Sequence, residues 1–75
     1  MRQKFIDYQF VRHSPTQDQI ERYDTIRKKS KKLAELVCSI CPECREREQA
    51  LVNLEQAMFW ANASIAREKL YQEDQ

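Results

Sequence analysis

The chain contains no glycine in 75 residues, only two prolines and a single histidine. Tight β-hairpin turns usually draw on glycine or asparagine at positive φ, so this composition argues against a sheet and for helices. A strong excess of either charge is also missing: 13 Lys and Arg stand against 12 Asp and Glu, a net +1. The global attraction for nucleic acid seen in basic binders is therefore absent, DNA is not an expected partner, and any anion site must be local. No apolar run approaches the roughly 18 residues of a membrane span, and the opening MRQKFIDYQF has no continuous apolar signal-peptide core. A cytosolic protein without a membrane partner is expected. Three cysteines make an odd count, and cytosolic thiols stay reduced, so a disulfide framework is not expected.

What is present is small and strongly patterned. One domain over residues 1–75 buries only about 60 % of the surface its unfolded chain exposes, and ordering costs roughly 1.5 kcal/mol per residue. A core this marginal needs support from disulfides, a metal or other chains. Residues 1–13 carry Phe5, Ile6, Tyr8, Phe10 and Val11 without a helical stripe and read as an extended arm. Ser14, Pro15 and Gln17 then combine a capping serine, a proline at the first helical position and a glutamine three residues after the cap. A first helix is expected over 14–40, with Ile20, Tyr23, Ile26, Leu33, Val37 and Ile40 as its apolar stripe.

A bend over 41–44 follows, and Glu43, Glu46 and Glu48 favour the start of a second helix, expected over 45–70. In it Leu51, Leu54, Met58, Ala61 and Ile65 follow the 3-4-3-4 spacing of a coiled-coil seam. Val52, Phe59, Ala63, Ala66 and Leu70, with Trp60 between the two sets, add apolar surface beyond what one partner helix covers, which predicts association into an oligomer.

The motif CSICPEC, residues 38–44, offers Cys38, Cys41 and Cys44 as three of the four ligands a structural zinc needs. His13 lies about 25 residues earlier, near the opposite end of a hairpin at about 1.5 Å per residue, and reaches the cysteines only from another chain. The simpler reading is a bend with no metal, Cys38 completing a helix stripe and Cys41 and Cys44 flanking Pro42. Arg27, Lys28, Lys29, Lys31 and Lys32 form a basic segment in which Arg27 and Lys31 share a face by i,i+4 spacing. On a single chain such a face is ordinarily just solvated, but neighbouring copies can converge on a phosphate. His13 has no nucleophile or acid partner beside it in the sequence, so no catalytic residue is assigned and the protein is not expected to be an enzyme. Tyr8 and Phe10 on the arm are stacking candidates for a base.

The second helix, REREQALVNLEQAMFWANASIAR over residues 45–67, resembles the helical-hairpin domain of phage cyclic-nucleotide sponges, the anti-CBASS sponges and the related Thoeris anti-defence sponges. The matching residues are Arg45-Glu46, Ala50-Leu51, Leu54 to Ala57 and above all Met58 to Asn62 followed by Ala63 to Arg67; Thr16 to Ile20, Ile26-Arg27, Lys31 to Ala34 and Val37 add a looser match in the first helix. The resemblance implies a helical hairpin assembling into a compact homo-oligomer, commonly a hexamer; with the residue pattern, the expected fold is an all-α antiparallel helical hairpin with an extended N-terminal arm. It implies sequestration without cleavage of cyclic dinucleotides and, in separate pockets, cyclic trinucleotides, with cyclic ADP-ribose isomers as further candidate ligands, in the cytoplasm of the phage's host.

Carried onto this chain, the family's basic residue after the helix-1 isoleucine falls on Arg27, an arginine where lysine is more usual, and a guanidinium clamps phosphate in two places. The family's stacking aromatic falls near Arg12, leaving Phe10, His13 or the planar guanidinium of Arg12 to stack on the base. Lys29 and Arg67 are assigned to the trinucleotide pocket. No cofactor and no metal are implied. The rival expectations are a small helical adaptor that binds a host protein through its exposed apolar face, and a zinc-linked oligomer.

Overall fold

The computed structural model describes residues 2–10 and 14–72 and is built from four helices: α1, Arg2–Gln9; α2, Gln17–Ile40; α3, Arg45–Ala66; and α4, Glu68–Gln72. Helices α2 and α3 form the expected antiparallel hairpin, α4 folds back on α3, and no strand occurs among the described residues. None of the described helices is long and apolar enough to cross a membrane.

The bend falls where expected. Cys41 caps the C-terminus of α2 in extended geometry, its N–H donating to the Val37 carbonyl at 3.0 Å, and Cys44 is the extended N-cap of α3. Because both caps are extended, no described residue takes a positive φ, and the turn needs no glycine. Glu46 and Glu48 sit in the first turn of α3, where the helix dipole favours carboxylates.

Three boundaries differ from expectation. Residues 2–9, expected as an extended arm, form α1: Arg, Gln and Lys are good helix formers, no glycine or proline interrupts them, and Gln3 Nε2 donates to Asp7 Oδ1 one turn on at 2.8 Å. Helix α2 starts at Gln17, with Thr16 rather than Ser14 as its cap. The S/T-x-x-Q pattern occurs twice, as Ser14…Gln17 and Thr16…Gln19, and among the described residues only the second has a tertiary partner. Gln19 Oε1 accepts from Thr16 N–H at 2.9 Å, Thr16 Oγ1 accepts from Gln19 N–H at 3.1 Å, and Gln19 Nε2 reaches across to the Ile65 carbonyl at 3.1 Å. The second helix ends at Ala66 rather than 70. Arg67 leaves helical geometry at φ −105°, ψ 15°, and Glu68 then reaches Arg22 while Leu70 is buried.

The seam of α3 is as expected: Leu51, Leu54, Met58, Ala61 and Ile65 are all half-buried. The seam of α2 is shifted. Tyr23, Ile26 and Val37 are half-buried as expected, but the positions between them are Ser30 and Ala34, while Ile20, Leu33 and Ile40 stay exposed, Ile40 at 71 %. Small side chains let one helix settle against the larger leucines and methionine of the other, and the 3-4 spacing of Leu33, Leu36 and Ile40 then forms a separate apolar stripe outside the hairpin. Leu70, 1 % exposed, is the one buried hydrophobic side chain among the described residues.

A rod of two helices leaves much surface uncovered. The accessible surface is 6325 Å² at 9.1 kDa, where a folded monomer of that mass exposes about 4,900 Å². The excess of about 1,400 Å² is comparable to what a chain covers in one or two standard protein interfaces.

Leu70→Ala removes the only fully buried apolar side chain among the described residues and is expected to destabilise the fold by about 2–5 kcal/mol in urea denaturation. An unchanged midpoint would mean that α4 does not anchor the hairpin.

Candidate functional site

One side of the hairpin carries a continuous furrow between α2 and α3. Near the bend it is lined by Lys31, Ala34, Glu35, Cys38, Ser39 and Leu51. Its middle section, about 380 Å³, has a floor of Ser30, Ala34, Leu51, Leu54 and Met58, with Arg27 and Lys31 on the α2 rim and Glu55 on the α3 rim. Beyond Arg27 it continues into a hollow of about 390 Å³ formed with Tyr23, Phe59, Asn62, Ala63 and Ala66. The small residues of the α2 seam open the middle section, so the same substitution of bulk that shifts the seam also creates the cavity.

Arg27 stands at the junction and lines both sections. Its Nη1 donates to Asp24 Oδ1 at 2.6 Å on the preceding turn, a pair exposed enough to contribute orientation more than stability. The guanidinium keeps further donors for an anion. Lys31 lies on the same face, as i,i+4 spacing requires.

The remaining expected site residues are dispersed. Arg67 is half-buried at the break after α3 and lines a separate hollow of about 290 Å³ with Trp60, Ala63 and Ser64. Ala63 lies in both this hollow and that of Arg27, so the two adjoin around α3. Trp60, expected among the surplus apolar surface for association, is 67 % exposed in the single chain and so takes no part in the hairpin core. Lys29 is exposed on α2 and lines none of these hollows. Two residues on from Arg27 is about 200° of helical rotation, which places Lys29 on the far side of α2, and a single chain does not bring it to Arg67. Phe10 follows α1 and is 83 % exposed; Arg12 and His13 lie outside the described residues. Tyr23 and Asn62 were not singled out by sequence reasoning. In the sequence Tyr23 falls in the seam stripe, and Asn62 only within the Met58 to Asn62 stretch that resembles the family.

Both ends of the hairpin are pinned by polar groups. At the open end Arg22 Nη2 pairs with Glu68 Oε2 at 2.7 Å and Asp18 Oδ2 at 2.9 Å. The hydrogen bond to Glu68, ahead of the Asp18 and Glu68 charges, raises the pKa of Arg22 against partial desolvation, so it remains a cation. At the bend Arg47, largely buried, donates to the Cys38 carbonyl at 3.3 Å.

Cys38, in the last turn of α2, and Cys41 and Cys44, at the two ends of the bend, are free thiols, Cys41 half-buried and the other two exposed. Among the described residues no three Cys, His, Asp or Glu side chains are grouped as a metal site. The backbone bonds and the Arg47 contact account for the turn. Replacing all three cysteines by serine is expected to leave helical content unchanged and to shift thermal stability by no more than about 1 kcal/mol, read by circular dichroism. Loss of the fold together with released zinc would overturn the bend reading.

Comparison with known proteins yields a family model described as the Acb2/Tad1 hairpin domain, which matches residues 2–66. No curated protein and no solved structure matches significantly.

Proposed function

The chain belongs to the Acb2/Tad1 hairpin-domain family, and on that premise we propose that it is a phage counter-defence sponge. It binds cyclic oligonucleotide second messengers in the cytoplasm of the host and holds them intact, without enzymatic cleavage, so that CBASS-type immunity is not triggered. Cyclic dinucleotides occupy the Arg27 furrow, with Phe10, Arg12 and His13 contributed near the same ligand. Cyclic trinucleotides occupy a second pocket at Arg67, to which Lys29 is supplied by another copy.

The observation that carries this reading is the position of Arg27. A cation with spare donors stands where two hollows meet, beside the Tyr23 and Phe59 rings, in a furrow open along one side. A cyclic dinucleotide has two phosphates and two bases, and such a ring matches a clamp flanked by aromatic walls. The open side calls for a second protomer, in keeping with the excess surface and with the exposed Leu33, Leu36, Ile40, Phe59 and Trp60. A compact homohexamer is the assembly proposed.

Sequestration needs affinity and no chemistry. Nanomolar binding corresponds to about −12 kcal/mol. Charge-assisted hydrogen bonds of roughly 1.5–3 kcal/mol each, with base stacking of about 1–3 kcal/mol per base, reach that range from a few contacts.

Native mass spectrometry with cyclic di- and trinucleotides and cyclic ADP-ribose isomers tests the proposal. An oligomer is expected to gain stoichiometric ligand and return it intact on denaturation. Arg27→Glu should leave the oligomer assembled and weaken cyclic dinucleotide binding by at least about a hundredfold, since it replaces attraction to phosphate by repulsion. An assembled wild-type protein that takes up no ligand from the panel would defeat the sponge reading and favour an adaptor that uses the apolar stripe on a host protein.

A further inference from the structure

Glu55 stands on the α3 rim of the furrow's middle section, opposite Arg27 and Lys31 on the α2 rim. Its own helix offers it no cation, because the positions three and four residues away are Leu51, Val52, Met58 and Phe59. The furrow also keeps it from the cations across the way. Arg27 pairs with Asp24, and among the described residues no ion pair or side-chain hydrogen bond engages Glu55 or Lys31. Between the rims Ala34, Leu54 and Met58 form an apolar floor, each half-buried and so still open to a ligand. The section therefore holds two cations on one side, a flat apolar bed, and a carboxylate with no protein partner on the other. A carboxylate only accepts hydrogen bonds and repels a bare phosphate, so the ligand that suits this section brings donors as well as negative charge.

Resting on the sponge reading, we infer that Glu55 reads one base of the bound cyclic dinucleotide and that the base it selects is guanine. Arg27 lines both hollows, so a ring whose phosphates lie at Arg27 and Lys31 turns one base toward Tyr23 and Phe59 and lays the other on the floor of the middle section. The furrow is open along one side, and the base reaches floor and rim as they stand. Leu54 and the polarisable Met58 thioether carry its face. Its Watson–Crick edge then meets the carboxylate. Guanine alone among the common bases presents two adjacent donors there, N1–H and N2–H, which match the two oxygens of Glu55 in a charge-assisted pair. Adenine turns the N1 lone pair toward the carboxylate, and hypoxanthine, lacking the 2-amino group, offers N1–H alone. Arg27 and Lys31 only donate, so neither reads this edge and both are left to the phosphates.

The test compares cyclic di-GMP, cyclic di-IMP and cyclic di-AMP by calorimetry on the intact protein. Wild type is expected to bind cyclic di-GMP about tenfold more tightly than cyclic di-IMP, from which it differs only by the 2-amino group. In Glu55→Gln the carboxamide accepts from N1–H and donates to O6, groups that guanine and hypoxanthine share, so the two affinities should fall within about twofold of each other. Glu55 is exposed, and native mass spectrometry checks that the variant assembles as wild type does. Glu55→Ala is the second variant and should abolish the preference in the same way. Equal wild-type affinities, binding of cyclic di-AMP alone, or a guanine preference that survives both substitutions would overturn the inference while leaving the sponge intact. Failure of both variants to assemble would assign Glu55 to the contact between copies and overturn it as well. Wild-type protein that takes up none of the three, nor any cyclic trinucleotide, would remove the sponge reading and the inference together.

Discussion

Two helices packed side by side can bury only one stripe of each, and the rest of this molecule follows from how that single contact is filled. On α3 the stripe is Leu51, Leu54, Met58, Ala61 and Ile65; on α2 it passes through Ser30 and Ala34. Large residues against small ones let the helices pack, and the bulk missing from α2 opens the furrow beside Leu54 and Met58. The larger aliphatic residues of α2, Leu33, Leu36 and Ile40, are correspondingly left outside. One choice of seam thus sets the fold, the cavity and an uncovered apolar surface.

The seam alone does not fix how far one helix slides along the other. Two reciprocal contacts do. Gln19, in the first turn of α2, donates to the Ile65 carbonyl near the end of α3, and Arg47, in the first turn of α3, donates to the Cys38 carbonyl near the end of α2. Each helix start donates to a carbonyl in the last turn of the other helix, which settles the register at both ends. Gln19 also closes the capping box of its own helix, so the beginning of α2 and the end of α3 are ordered by one side chain.

That register places Arg27 opposite the segment from Met58 to Asn62, the most specific part of the family resemblance. The consecutive residues Trp60, Ala61 and Asn62 then have a division of labour within the chain. Trp60 faces outward beside Arg67, Ala61 packs in the seam, and Asn62 lies in the furrow with Phe59. Three consecutive residues on a helix point about 100° apart, so a short motif can serve an outer hollow, a core and an inner hollow together.

Much of this was legible in the chain. The absence of glycine, the caps around Pro42, the heptad spacing of α3 and the i,i+4 placement of Arg27 and Lys31 are local or periodic features, and local stereochemistry decides them before any tertiary contact forms. Other features were not legible, because local chemistry left alternatives nearly equal or gave no signal. Thr16 prevails over Ser14 as a cap through Gln19 and Ile65; α1 has no apolar stripe to announce it; the end of α3 at Arg67, with neither glycine nor proline, follows from the pull of Glu68 toward Arg22 and the burial of Leu70. The α2 seam was misplaced for the same reason, since serine and alanine carry little hydrophobic signal and their fitness for a seam depends on the size of what faces them. The sequence by itself determined a helical hairpin with its bend and its cation. The tertiary structure decided which face of α2 turns inward, and with it that Arg27 meets Tyr23, Phe59 and Asn62, because packing complementarity is a property of two surfaces together.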